Sequence, residues 1–284
     1  MEYTNPELPE GINTSDTHPL KEFFLLTIGV LAFIFIAVTL LIIIVDNFAD
    51  KIPFEMEKNL PVESFITGKS AETLPPYLDK VSQKVIKSFE LPENMHITVH
   101  YLNEDMVNAF ATLGGHIALY RGLLDKLKYE DELAMVIAHE VAHIKYRHPI
   151  LSTSHGIVVG LALSIFSSAS GNAVINQLMG TTGMASLMRF SRDFEYQADK
   201  DAVTSLIKLY GHAEGGIGLF NVFKSEFGKE SRFEFLATHP LTENRISQTT
   251  KIINANSLSS GNVMTELPGE FKLWLKKQKD KTEN

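Results

Sequence analysis

His139 and His143 stand four residues apart, with Glu140 directly after the first, in the run His139-Glu140-Val141-Ala142-His143. On a helix, residues at i and i+4 share one face, with Cβ atoms roughly 5–6 Å apart. Two ring nitrogens can then converge on one Zn²⁺, and Glu140 can reach a water held at an open coordination position. A catalytic zinc takes three protein ligands and leaves one position for water, so a third donor is needed. The segment Ser191-Arg192-Asp193-Phe194-Glu195-Tyr196-Gln197-Ala198-Asp199 offers two carboxylates one helical turn apart. Either Glu195 or Asp199 can bind metal while the other steadies a ligand imidazole from behind. Spaced carboxylates on a helix are more commonly a solvated face.

The elements that must hold these groups are legible as periodicity. Tyr129 to His148 reads as one helix: Leu133, Val136, Ile137, Val141 and Ile144 recur mostly at three- and four-residue spacing, and no Pro or Gly interrupts. Glu130, Asp131 and Glu132 suit its positive N-terminal end. A second helix runs from an N-cap at Ser191 to a C-cap at Gly211, with Val203, Leu206, Ile207 and Tyr210 periodic between them. Pro75-Pro76 opens a scaffold helix through Leu78, Val81, Val85, Ile86 and Phe89. His96 to Tyr101 alternates like a strand, Met106 to Thr112 pairs with it through a short loop, and Gly114-Gly115 turns the chain into His116 to Tyr120. Such a sheet beside the helix gives an extended peptide an edge to join, main chain to main chain. Asn108 is placed to bond that backbone, although a strand Asn is more often solvated.

H-E-x-x-H followed by S-R-x-x-E-x-x-A-D resembles the M48 family of zinc metalloendopeptidases. Asn108 to Leu124, with its paired glycines, is similar to the family's strand and turn before the zinc helix. Thr238-His239-Pro240 with Arg245 is similar to its H-P-x-x-x-x-R element. The resemblance covers residues 71 to 255 in the family's order. It implies one Zn²⁺ per chain on His139, His143 and Glu195, with Glu140 as general base, Asp199 behind the ligands, and protein or peptide substrates. The implied fold is zincin-like α+β, predominantly helical, with a small antiparallel sheet. Leu113 departs from the Pro that many relatives carry before the glycines, which bears on the loop's shape. His239, followed by Pro240, sits in a loop, where it can stabilise an oxyanion or cap the zinc at rest; Arg245 is a second oxyanion candidate. His96, His100, His116, His148, His155 and His212 are read as structural, and His148 falls off the ligand face. The competing class is a membrane-tethered chaperone-like or binding protein with a structural or capped metal site. An intact Glu140 argues against it, because a structural site needs no general base.

The remaining features bound the setting. With 284 residues, 44% of them hydrophobic, the chain can bury one substantial core. A net charge of −8 and the lack of a basic stripe argue against nucleic acid as a partner. There is no cysteine, so a Cys-built zinc site, a disulfide framework and a thiol nucleophile are excluded. Phe23 to Val45 is an uncharged apolar run long enough to cross a bilayer core of roughly 30 Å, and its flanks do not suit signal cleavage. It predicts a single-pass anchor after a disordered tail over 1–22, with a linker over 46–70. Lys51 and Lys58 lean towards a cytoplasmic catalytic domain, and single-anchor relatives lean towards the periplasmic side of a bacterial inner membrane. The periplasmic side is the one adopted. Pro149 to Met188 carries no charge. It predicts a helical hairpin over 149–188, either dipping into lipid or buried in the core. Residues 256–284 form a tail whose Phe271, Leu273, Trp274 and Leu275 and five lysines suit an interfacial or a docked helix.

Overall fold

The computed structural model describes residues 18–48, 51–58, 71–167, 190–226, 235–256 and 263–283. Residues 1–17 of the expected tail, most of the expected linker and the second arm of the hairpin lie outside these residues; Pro19 to Glu22, expected in the tail, are helical. Helix α1, Pro19–Phe48, has no buried residue and is long and apolar enough to cross a membrane. Two short helices are α2, Phe54–Lys58, which follows it, and α4, Arg121–Leu124, which follows the sheet.

The domain is built around helix α5, Glu130–Lys145, which is buried from Asp131 to Ile144. A helix buried on all sides must satisfy its first amides locally, and Glu132 does so by reaching back to accept from the backbone N–H of Lys128 (2.7 Å) and Tyr129 (3.1 Å). Helix α3, Pro76–Ser88, packs across α5, as does helix α7, Arg192–Tyr210. Helix α8, Glu214–Glu226, closes a further side, and helix α10, Glu243–Asn256, lies against α7 and α8. The caps of α7 are those read from the sequence: Ser191 Oγ accepts from Phe194 N at 3.2 Å, and Gly211 takes φ +77°. Helix α11, Gly269–Glu283, docks its aromatic side on the domain, with Phe271 and Leu275 buried and Trp274 against Tyr101 at 4.8 Å between rings.

The sheet is mixed, which corrects the antiparallel expectation. Strands β1 (Ala71–Glu72), β2 (Thr98–Leu102), β3 (Ala109–Thr112) and β4 (His116–Tyr120) lie in the order β1-β2-β4-β3. β2 pairs with β4 in parallel, and only the β1–β2 and β3–β4 pairs are antiparallel. β3 therefore does not pair with β2. The chain from β2 passes over to the far edge, and the turn Leu113–Gly115 brings it back as β4 in the gap. Gly114 and Gly115 both take positive φ, +74° and +81°, and a Cβ on Gly115 would meet the His96 carbonyl oxygen at 2.2 Å. Only glycine fits there.

The helix expected over Tyr129 to His148 is interrupted. α5 ends at Lys145, Arg147 takes φ +60°, and helix α6, His148–Ser167, begins anew. A left-handed conformation is costly for an arginine unless other contacts hold it. Here the guanidinium binds the Ile52 carbonyl at 2.8 Å and pairs with buried Glu57, whose other oxygen accepts from Gly114 N at 3.1 Å. The segment after α1 thus fixes the corner between α5 and α6. α6 then runs beside α1, with His155 Nε2 2.7 Å from Asp46 Oδ1.

Candidate metal centre

α5 delivers His139, Glu140 and His143 from one turn, all buried. α7 crosses it and delivers Glu195 and Asp199, also buried and one turn apart. The sequence Thr238-His239-Pro240, at the end of the short helix α9 (Phe235–Thr238), brings in His239, fully buried and stacked on Phe235 at 4.5 Å.

His139, His143, Glu195 and His239 each direct one donor atom into a common space, with all of these atoms within 4.8 Å of one another. His139 Nε2 lies 3.0 Å from His143 Nε2 and 3.2 Å from His239 Nδ1. Glu195 oxygens lie 3.3 Å from His143 Nε2, 3.5 Å from His139 Nε2 and 2.9 Å from His239 Nδ1. Bonds of 2.0–2.1 Å to a tetrahedral zinc separate ligand atoms by roughly 3.3 Å, so this donor set fits that ion. Both oxygens of Glu140 and Nε2 of His239 are buried without a hydrogen-bond partner, and Glu140 Oε1 is 3.5 Å from that nitrogen. Unpaired polar atoms of this kind are costly in a protein interior and mark a place built for something else.

The charges around the cluster are ordered. Asp199 Oδ1 stands 3.0 Å from His139 Nδ1, on the ring's far side from the cluster. Arg245 grips Asp199 with two parallel hydrogen bonds, 2.6 and 2.8 Å, and reaches Glu195 Oε2 at 2.5 Å. Burial alone would raise both carboxyls, but Arg245 outweighs it, and both are held below their usual range, Glu195 well below. Burial opposes a charge on His139 too, yet hydrogen bonds to Asp199 and Glu195 win and push it up to about 9. His143, equally buried, is driven well below its ordinary value by that burial.

The family match spans the residues of this cluster. Peptidase family M48 matches residues 73–253. The chain belongs to family M48. Among its relatives, a candidate beta-barrel assembly-enhancing protease of Vibrio cholerae is 29% identical over 184 residues, covering 61% of this chain and 38% of the relative. The mitochondrial metalloendopeptidase OMA1 of Arabidopsis thaliana is 28% identical over 229 residues, 77% of this chain and 44% of the relative. The beta-barrel assembly-enhancing protease of Escherichia coli is 26% identical over 168 residues, 54% and 34%. The chain thus matches less than half the length of these curated relatives.

Of the candidates read from the sequence, the structure brings His139, Glu140, His143, Glu195, Asp199, His239 and Arg245 together. Asn108 stands apart: it is buried before β3 with its amide 3.9 Å from Met106 Sδ. Arg245 is buried on two carboxylates, with Nη2 3.5 Å from His139 Nε2. Sequence reasoning missed three residues that touch the site. Phe190 stacks on His143 at 3.9 Å, His148 Nδ1 lies 2.9 Å from His143 Nδ1, and Gln197 Oε1 lies 3.2 Å from His148 Nε2. The available signal for His148 was Pro149, which has no N–H to continue a preceding helix and suits the first turn of a new one. A break at 147 lets the ring fold back under His143.

Proposed function

We propose that this chain is a membrane-anchored, zinc-dependent endopeptidase that hydrolyses peptide bonds in protein substrates. The observation that carries this is the convergence of His139, His143 and Glu195 on one point, with the buried Glu140 carboxylate beside them. His139, His143 and Glu195 would hold the metal. When bound, zinc would polarise the scissile carbonyl and lower the pKa of its water towards neutrality. Glu140 would take the proton from the attacking water and pass it to the leaving amine. Asp199, held by Arg245, would keep the His139 ring turned with Nε2 inward.

His239 gives a second reading of the same site. Its Nδ1 is a fourth protein donor, and four protein donors close a zinc site to water. We infer a capped resting state, from which His239 must swing away for water to enter; once displaced, its ring is placed to donate to the oxyanion. Capping of this kind also suits the chaperone-like alternative, so turnover decides between them. Purified wild-type protein should hold one zinc per chain and cleave an unfolded protein such as casein. Glu140→Gln should keep the zinc and lose activity by roughly 10²–10⁴-fold, the usual contribution of a general base. Undiminished cleavage by Glu140→Gln would sink the mechanism.

Quality control of membrane or envelope proteins fits a protease tethered by α1 and related to bacterial enzymes named for β-barrel assembly. Barrels of the outer-membrane type favour the periplasmic face of a bacterial inner membrane for the catalytic domain. The chain has no cysteine, so a single Thr204→Cys on the exposed side of α7 serves as a reporter. A membrane-impermeant maleimide should label it in cells with a permeabilised outer membrane. Labelling only after the inner membrane is broken would place the domain in the cytoplasm.

A further inference from the structure

A line of polar groups runs from the surface of α7 to the metal cluster. It begins at Gln197 on α7, whose carbonyl oxygen Oε1 lies 3.2 Å from His148 Nε2. An amide oxygen only accepts, so the proton between them sits on His148. His148 then carries its proton on Nε2 and presents a bare Nδ1 to His143 Nδ1, 2.9 Å away. Two imidazole nitrogens at that distance share one proton, and here it must belong to His143. The proton on His143 Nδ1 leaves the Nε2 lone pair free, 3.0 Å from His139 Nε2 in the cluster.

The geometry points to His148 and Gln197 as positioning residues, members of a one-way hydrogen-bond chain from the Gln197 carbonyl that fixes the tautomer in which His143 can bind metal. The direction is set at the far end. An amide carbonyl oxygen can only accept, so each later group has one permitted orientation. Packing holds the rings in line. His148 is sandwiched by Phe194 at 4.0 Å and Tyr146 at 5.7 Å, while Phe190 covers His143. Were Gln197 turned over, its NH₂ would donate to His148 Nε2, the proton of His148 would move to Nδ1, and His143 would be left protonated on the nitrogen that faces the cluster. His139 has the equivalent support from Asp199, so each ligand imidazole is oriented by a partner on its far nitrogen.

The inference rests on the metalloprotease reading, and the test separates the two. Zinc affinity of the full chain in detergent is measured by competition with a chelator, beside the melting temperature of the metal-free protein. His148→Phe keeps the stacking and removes the acceptor, and should weaken zinc binding about 10–100-fold. Gln197→Met keeps the volume and removes the carbonyl, and should weaken it roughly tenfold; Gln197→Glu, which still accepts from His148, should stay within about threefold of wild type. Wild-type affinity in Gln197→Met, or equal losses in the Met and Glu variants, would overturn the proposal and point to packing. A measurement on wild type needs no variant to fold: long-range ¹H–¹⁵N spectra of metal-free, ¹⁵N-histidine protein should show His143 protonated on Nδ1. Protonation on Nε2 refutes the chain. Wild-type protein that takes up no zinc would instead remove the metalloprotease reading, and the spectra would still decide the tautomer.

Discussion

At the scale of single residues, Glu195 and Asp199 show how similar carboxylates one turn apart come to different work. Glu195 directs its oxygens at His139, His143 and His239, whereas Asp199 faces the far nitrogen of His139 and is locked there by Arg245 and by Thr249 Oγ1 at 3.1 Å. Glu195→Ala should therefore lose most of the bound zinc on dialysis against a weak chelator. Asp199→Ala should retain it with affinity lowered about 10–100-fold, since the His139 ring loses its orienting partner and Arg245 is left to Glu195 alone. Full zinc content in dialysed Glu195→Ala would require another ligand. Arg245 lies against both carboxylates. Two buried carboxylates side by side repel each other, and this guanidinium neutralises both.

At the scale of elements, the site depends on how α5 is tied to its neighbours. Glu130, in the first turn of α5, accepts hydrogen bonds from Tyr77 (2.8 Å) and Lys84 (3.0 Å) on α3 and from Tyr210 (2.9 Å) on α7. Burial pushes its carboxyl up, but these three donors outweigh burial and hold it below its ordinary value. A carboxylate depressed in the folded state adds stability above its unfolded pKa, and that stability is lost as pH falls through the folded value. Wild type should therefore be more stable than Glu130→Gln at pH 7, and the gap in urea unfolding should close as pH falls from about 4.5 towards 3. A gap that persists at pH 3 would show that Glu130 acts through packing instead of charge. The approach of α8 to α5 is equally tight: a Cβ on Gly215 would meet the Asp131 carbonyl oxygen at 2.3 Å.

At the scale of the whole molecule, the apolar helix and the candidate metal centre are mechanically joined. The chain leaving α1 passes through Ile52 and Glu57, which hold Arg147 at the end of α5, and α6 returns alongside α1. Deleting residues 1–48 should leave a protein that still binds zinc, because none of the cluster comes from α1. It should also uncover the side of α6 that lies against α1, and exposed apolar surface drives association or continued membrane binding. The truncated protein should need detergent to stay monodisperse while retaining proteolysis. A monodisperse, detergent-free domain would show that α6 does not depend on lipid or on α1.

H-E-x-x-H and the later E-x-x-x-D each lie within one turn of helix, so periodicity alone placed His139 beside His143 and Glu195 beside Asp199. The caps of α7 at Ser191 and Gly211, the buried stripe of α5 and the apolar span of α1 were legible for the same reason: each is set by neighbours three or four residues away. What lay beyond that range was decided by packing. The parallel pairing of β2 with β4 arises because β3 is carried to the sheet edge, a crossover with no local signature. Arg147 turns left-handed and ends α5 only because Glu57, 90 residues earlier, is there to hold it. His148 became a partner of His143 through that corner, and Gln197 and Phe190 joined them from α7 and the chain just before it. Short-range order fixed which side chains share a face, and only the close-packed interior could choose which faces meet.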